Sequence, residues 1–159
     1  MKVVSGGQAG VDRAALDAAI AVGLEVGGWC PAGRVAEDGP LDGSYALTET
    51  PSADPAQRTE WNVRDSDATL VIVRSEAPRG GTKLTVEIAR RLSKPVVILQ
   101  LSDKHVQKRA IDWIRGRGLS TLNVAGPRES EEPGIHELAR AILIRILSEC
   151  VGGAAVRQQ

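Results

Sequence analysis

The strongest constraint on the fold of this chain is a regular alternation of short apolar runs with amphipathic stretches. The run from Ala68 to Val73 is nearly continuous in apolar residues, which is typical of a strand buried on both faces of a sheet. Another such run, Val96 to Leu99, follows a helical stretch from Thr82 to Leu92. Parallel strands that alternate with helices need crossover connections, which place helices on both faces of the sheet. We therefore predict an α/β fold, a Rossmann-like three-layer αβα sandwich with a mostly parallel sheet of about five strands.

The remaining elements follow from the same periodicities. We predict further strands at Val3-Val4, Leu24 to Trp29 and Thr121 to Val124, and further helices at Val11 to Val22, Ala56 to Arg64, His105 to Arg117 and Pro133 to Cys150. Gly152-Gly153 is expected to end the last helix. From Cys30 to about Pro55 the chain shows no periodicity, and we interpret it as a long functional loop. Residues 1–150 are expected to form one domain, followed by a disordered tail at 151–159.

Composition limits the classes of function. The chain has 159 residues, of which 42% are apolar, enough for a single core without disulfides or structural metal. Its 20 Lys and Arg balance 20 Asp and Glu, so no overall charge attracts nucleic acid or an anionic membrane. Cys30 and Cys150 lack the spacing of a zinc site or a disulfide framework. No apolar run approaches the roughly 20 residues of a membrane span. We therefore predict a soluble cytoplasmic protein that binds neither nucleic acid nor membrane.

The first candidate site is the glycine-rich turn between the first strand and the first helix. Ligands of such sheets bind beyond the carboxyl ends of the strands, so residues 5–13, the long loop, residues 74–82 and residues 125–128 are expected to share one rim. Glycines there let backbone N–H groups approach an anion at a helix N-terminus. Arg13 adds positive charge there, so an anion site is favoured over a simple tight turn in which Asp12 stabilises the helix. The glycine spacing is not that of an NAD-binding turn. The candidate residues are Ser5, Gly6, Gly7, Gln8, Gly10, Asp12 and Arg13.

A second glycine-rich turn, Gly80-Gly81-Thr82, also lies between a strand and a helix. It lacks the Gly-Lys-Ser/Thr ending of a Walker loop, so ATP hydrolysis is not indicated. The structural alternative is a turn in which Thr82 caps the helix. Two such turns on one sheet could present two anion-binding helix ends to one ligand, and this pairing favours a binding site.

Polar and aromatic residues elsewhere could complete the site. Arg58 and Asn62 are four residues apart on a predicted helix and could point together at the rim, although a helix stabilised by its own ion pairs is an open alternative. Trp29 could fill the core or form a stacking wall, and Arg34 lies in the long loop. No catalytic triad or metalloprotease motif is present. Glu87, on the helix after the second turn, is the remaining candidate acid or base.

Several long blocks resemble the molybdenum cofactor carrier family. The resemblance runs from about residue 3 to residue 145 and rests on residues 5–17, Gly28-Trp29-Cys30-Pro31, residues 36–40, residues 58–67 and Gly80-Gly81-Thr82. It implies a Rossmann-like fold related to the lysine-decarboxylase-like phosphoribohydrolases. It also implies that the protein binds the phosphorylated pterin of the molybdenum cofactor (molybdopterin), or another nucleotide-like anion, and forms a homo-oligomer.

The enzymes related to this family carry a Gly-Gly-x-Gly-Thr-x-x-Glu motif, of which Glu87 keeps the spacing while Lys83 and Leu84 replace the third glycine and the threonine. The resemblance therefore favours a carrier in which the two turns and Arg13 hold the phosphate while Trp29 and Arg34 cover the ring system. Molybdenum would arrive chelated by the pterin, so no protein metal ligands are expected, and molybdoenzymes or their insertion machinery are the implied partners. The alternative is an enzyme that cleaves the N-glycosidic bond of a nucleoside monophosphate with the help of Glu87.

Overall fold

The computed structural model describes residues 1–155 of the chain. Their helices and strands, in chain order, are β1 (Lys2–Val4), α1 (Val11–Ala21), β2 (Glu25–Gly27), β3 (Trp29–Cys30), β4 (Val35–Ala36), β5 (Gly39–Pro40), β6 (Thr48–Glu49), α2 (Pro55–Arg64), β7 (Ala68–Val73), α3 (Gly80–Arg91), β8 (Val96–Gln100), α4 (Val106–Arg115), β9 (Thr121–Ala125) and α5 (Ile135–Ala155). None of these helices is both long enough and apolar enough to cross a membrane.

The central sheet has five strands in the order β2-β1-β9-β7-β8, and every neighbouring pair is parallel. Strand β7 is buried at all six positions, as its apolar run predicts. Leu70 and Ile72 pack with residues of α1, α4 and α5, while Val71 and Val73 pack against Val86 of α3 on the other face. The predicted Rossmann-like sandwich with helices on both faces is therefore confirmed.

The strand order has a specific relation to that of the dinucleotide-binding fold. If the chain were renumbered to begin at β9, the sheet would have the order 3-2-1-4-5 that characterises this fold. The observed connectivity is thus a circular permutation of that order. The point at which the strand order reverses lies between β9 and β7, and ligands of such sheets bind in the crevice beyond the carboxyl ends of the strands at this point.

Several of the boundaries expected from the sequence are wrong. Helix α3 begins at Gly80 rather than at Thr82, so the second glycine-rich turn forms the first residues of the helix. The segment from Cys30 to Pro55 is not without structure, because it contains a parallel pair, β3 with β6, and an antiparallel pair, β4 with β5. Strands of two residues are too short to produce a detectable period. Helix α5 continues through Gly152 to Ala155 because glycine weakens a helix by only about 1 kcal/mol relative to alanine. Of the tail expected at 151–159, residues 156–159 lie outside the described residues.

Gly28 explains why the predicted strand from Leu24 to Trp29 is divided. Its φ of 121° lies in the region that favours glycine, and a Cβ at this position would clash with the carbonyl oxygen of Ser5. The chain therefore turns at Gly28, leaving β2 in the central sheet and β3 in the small pair with β6.

Candidate functional site

A cleft of about 270 Å³ opens at the carboxyl ends of β1 and β9, between helices α2 and α3. It lies at the reversal of strand order, where the fold predicts a ligand. Eight of the residues predicted from the sequence line it, namely Gly6, Gln8, Asp12, Arg58, Asn62, Gly80, Gly81 and Thr82. The two glycine-rich turns and the start of α2 are thus brought together.

A buried ion pair joins two walls of the cleft. Arg58 of α2 donates from Nη1 to Oδ2 of Asp12 on α1 at 2.8 Å, and the two side chains are only 10% and 9% exposed. The backbone N–H groups of Gln8 and Gly126 also stabilise the Asp12 carboxylate. Burial nevertheless raises the pKa of Asp12, because desolvation outweighs the stabilisation by Arg58. The pair therefore holds the β1–α1 turn, the end of β9 and α2 in one arrangement.

Arg58 also explains why residue 6 is a glycine. The guanidinium lies directly against Gly6, and a Cβ there would overlap Nη1. Arg58 Nε is buried and has no hydrogen-bond partner among residues 1–155. An unsatisfied N–H on a buried cation costs free energy unless something accepts its hydrogen bond, and Arg58 is among the residues that line the cleft.

The N-terminus of α3 has no side-chain cap, as is also the case at α1 and α4. Its N-cap residue, Arg79, makes no side-chain capping bond, and the first turn holds no acidic residue. In contrast, Asp54 caps α2 through the N–H of Ala56, and Glu129 accepts hydrogen bonds at the start of α5. At α1, the first N–H donates to the carbonyl of Pro127. The partial positive charge of α3 therefore points into the cleft without a protein cap.

Residues 125–128, which end and follow β9, were expected at the rim, but Asn123 within β9 was not singled out. Asn123 is a polar residue in the middle of a buried strand, and its Nδ2 donates to Thr69 Oγ1 of β7 at 3.2 Å. Gly126 follows β9, where a Cβ would clash with Ile72 and Val11. The signal was an asparagine within the apolar run 121–124. Further lining residues that were not singled out are Pro55, Ala56, Thr59, Leu84, Thr85, Val124 and Glu131.

Four residues of the first turn, namely Ser5, Gly7, Gly10 and Arg13, lie behind the cleft wall. Ser5 Oγ donates to the carbonyl of Asp12 and accepts the N–H of Gly7. Arg13 donates to the Gly7 carbonyl at 3.1 Å and forms a double hydrogen bond with Asp38 at 2.8 and 3.1 Å. These contacts fix the shape of the turn, and a direct role of these residues toward a ligand stays a prediction.

Asn62, Trp29 and Arg34 fasten the long loop. The side-chain amide of Asn62 accepts from the N–H of Trp29 and donates to its carbonyl. The Trp29 ring packs edge-to-face on Trp61, with the ring centroids 4.8 Å apart. Arg34 donates to three carbonyl groups within the loop. Of the three, only Asn62 lines the cleft, and the predicted covering role of Trp29 and Arg34 stays a prediction.

Glu87 lies outside the cleft lining. Its carboxylate is more than half exposed and 3.8 Å from Lys83 on the same helix. The carboxylates that line the cleft are Asp12, which is paired with Arg58, and Glu131. Among residues 1–155, no three His, Cys, Asp or Glu side chains form a group that could hold a metal ion.

The chain is similar to a known protein family and to a protein of solved structure. A family model described as "Circularly permutated YpsA SLOG family" matches residues 3–147. A crystal structure of a protein from Syntrophus aciditrophicus, named "Putative molybdenum carrier protein", is 39% identical to this chain with a TM-score of 0.85, and the match covers 91% of this chain and 92% of that one. No curated protein sequence matches.

These findings confirm the resemblance to a molybdenum carrier family that the sequence indicates. The family model also agrees with the permuted order of strands, in which β9 occupies the position of the first strand. The chain belongs to the circularly permutated YpsA SLOG family.

Proposed function

We propose that this protein is a carrier that binds the phosphorylated pterin of the molybdenum cofactor in the cleft between α2 and α3. The observation that carries the proposal is the meeting of an uncapped helix N-terminus with the unpartnered Nε of Arg58 in one cleft. Both favour an anion. The name of the 39%-identical relative, a molybdenum carrier protein, supports a molybdenum-containing cargo, and the phosphorylated pterin is the anionic form of that cargo that we propose.

The terminal phosphate is assigned to the start of α3. Backbone N–H groups at Gly80 and Gly81 and the hydroxyl of Thr82 are suitable donors for phosphate oxygens. A Cβ at Gly81 would meet nothing within 4 Å, so the backbone there is open to a ligand. Polar groups farther along the cleft, such as those of Asn123 and Thr59, would face the ring system.

The proposal assigns binding to these residues and no catalysis. Glu87, the general acid or base of the enzymatic alternative, is more than half exposed and outside the cleft lining. The molybdenum would be chelated by the pterin itself, so the protein would hold the cargo through its phosphate and ring system. Delivery to molybdoenzymes or their insertion machinery, and assembly as a homo-oligomer, belong to the same proposal.

The experiment is a retention assay. Purified protein is incubated with freshly released molybdenum cofactor and desalted, and the retained pterin is quantified by the fluorescence of its oxidised form. We expect close to stoichiometric retention by the wild type. Gly81→Glu, which places a negative charge beside the proposed phosphate, is expected to weaken binding at least about tenfold.

Two controls sharpen the assay. Gly43→Glu adds the same charge at another glycine with open space around it, outside the cleft lining, and is expected to retain the pterin as the wild type does. An assay for ribose 5-phosphate release from nucleoside monophosphates is expected to show none. Retention by the wild type no higher than by an unrelated protein would refute the carrier function, and release of ribose 5-phosphate would favour the enzyme.

A further inference from the structure

The loop between β9 and α5 places a carboxylate at the start of α3. Glu131 lies in this loop, and its Oε2 would be 3.9 Å from a Cβ at Gly80. Within residues 1–155, no other heavy atom would come within 4 Å of that Cβ, apart from the chain neighbours of Gly80 and the backbone of α3 itself. The protein's own nearest anion therefore faces the helix end to which we assign the phosphate.

Glu131 is held there by its own loop. Its Oε1 accepts the backbone N–H of Arg128 at 3.2 Å and lies 3.9 Å from Nε of the same residue. Both side chains are roughly half exposed, at 40% and 45%. Ion pairs with this exposure contribute little to stability, so the carboxylate can leave at small cost.

The carboxylate and an incoming anion would need the same partners. An acidic group near a helix N-terminus is favourable because it faces the partial positive charge there. A ligand phosphate at this position would gain the same interaction, but it would be repelled by Glu131. The unpartnered Nε of the buried Arg58 in the same cleft is an independent indication that an anion binds here.

We propose that Glu131 is a displaceable gate for the anion site, and this rests on the proposed function. Binding of a phosphate group moves the Glu131 carboxylate away from α3 and leaves Arg128 to pair with the ligand. The return of the carboxylate weakens binding and assists release, which a carrier needs when it hands over its cargo. Removal of this negative charge should therefore strengthen binding, a gain that mere structural damage would not produce.

The test compares Glu131→Gln with Glu132→Gln in the full-length protein. Glutamine keeps an oxygen that can accept the N–H of Arg128. Glu132 is the next residue, pairs with Arg74 at 3.3 Å and lies outside the cleft lining, so its replacement controls for the loss of one negative charge. Inorganic phosphate is titrated at constant ionic strength, and affinity is obtained from the rise of the unfolding midpoint.

We expect E131Q to bind phosphate about three- to tenfold more tightly, which is about 0.7–1.4 kcal/mol, and E132Q to change the affinity less than about twofold. Equal tightening in both variants would show a general charge effect and overturn the gate. Unchanged or weaker binding in E131Q would also overturn it.

Retained pterin, measured on the same three proteins, separates the two proposals. If the wild type retains pterin while phosphate affinity does not rise in E131Q, the gate alone is overturned. If no protein retains pterin and none responds to phosphate, the proposed function fails and the gate fails with it. Longer retention by E131Q than by the wild type would support both.

Discussion

Replacement of Arg58 by methionine tests whether the buried ion pair is as important as its geometry indicates. The change removes the cation that faces Asp12 at 2.8 Å and leaves a carboxylate that is only 9% exposed. Breaking a buried pair from one side costs about 3–5 kcal/mol, because the remaining charge has no partner. We expect Arg58→Met to lose free energy of unfolding in this range at pH 7.

The double-mutant cycle supplies the internal control. Asp12→Asn in the Arg58→Met background removes the stranded charge and leaves a neutral side chain of nearly the same size. The double variant should therefore be more stable than Arg58→Met alone. We expect a coupling energy of about 3 kcal/mol between the two positions. Urea unfolding followed by far-ultraviolet circular dichroism provides the free energies.

The pH dependence of the free energy of unfolding provides a second, independent test of the ion pair. The pKa of Asp12 is raised above its ordinary 3.8 by burial, and loss of Arg58 removes the interaction that opposes this rise. A carboxyl with a raised folded pKa binds its proton more tightly in the folded state, so stability increases as the pH falls through that pKa and levels off below the unfolded value. The free energy of unfolding of Arg58→Met should therefore rise toward that of the double variant as the pH falls. The expected gain is at most about 1.4 kcal/mol per pH unit.

Arg64→Met on the same helix is the matched control. Arg64 pairs with Asp65 at the surface, where the two side chains are 48% and 44% exposed, so its loss should cost less than about 1 kcal/mol. A cost below about 1 kcal/mol for Arg58→Met, with additive effects in the cycle, would refute the reasoning.

Three further outcomes are expected. Gly6→Ala should destabilise the protein by about 1–3 kcal/mol in urea unfolding and reduce pterin retention, because its Cβ would displace the Arg58 guanidinium; full stability would contradict this. Gly81→Glu should raise the free energy of unfolding by about 0.5–1.5 kcal/mol through helix propensity and the helix dipole, while it lowers pterin retention. If stability and retention both rose or both fell, the assignment of the phosphate to α3 would be contradicted. The pKa of Asp38 is lowered by its hydrogen bonds with Arg13, so this carboxylate stabilises the folded state at neutral pH and ceases to do so once the pH falls below its folded pKa. Asp38→Asn should therefore lower the free energy of unfolding at neutral pH by less than about 1 kcal/mol, because the site is half exposed. A variant whose acid-unfolding profile matches that of the wild type would contradict this.

The layers of the fold could be predicted from sequence because β7 is buried at all six positions and β8, although at the edge of the sheet, is apolar at every position except Gln100. The order of strands could not, since β9 enters between β1 and β7 and nothing in its own five residues specifies its neighbours. The periodicity of apolar residues indicates which faces of a strand or helix are buried. Which strands become neighbours in the sheet depends instead on the path of the crossover connections.

In the candidate site, too, local features could be predicted from the sequence and contacts between distant residues could not. The two glycine-rich turns are local patterns and were found. The pairing of Asp12 with Arg58 joins residues 46 apart in the chain, and a carboxylate in a helix gives no local sign of a distant partner. Asn123 was recognisable as an anomaly within an apolar run, but only the position of β9 beneath the cleft gives it meaning.

The central position of β9 affects how the protein forms during synthesis. Strands β1 and β2 pair with each other, as do β7 and β8, and β9 alone bridges these two halves of the central sheet. Because β9 is translated after the other four strands, β1 and β7 each keep an unpaired edge until then, and such edges invite pairing with other chains. The floor of the cleft is completed in the same event. A nascent chain that ends before residue 121 therefore contains both glycine-rich turns but no complete cleft, which ties the proposed binding of cargo to completion of the sheet.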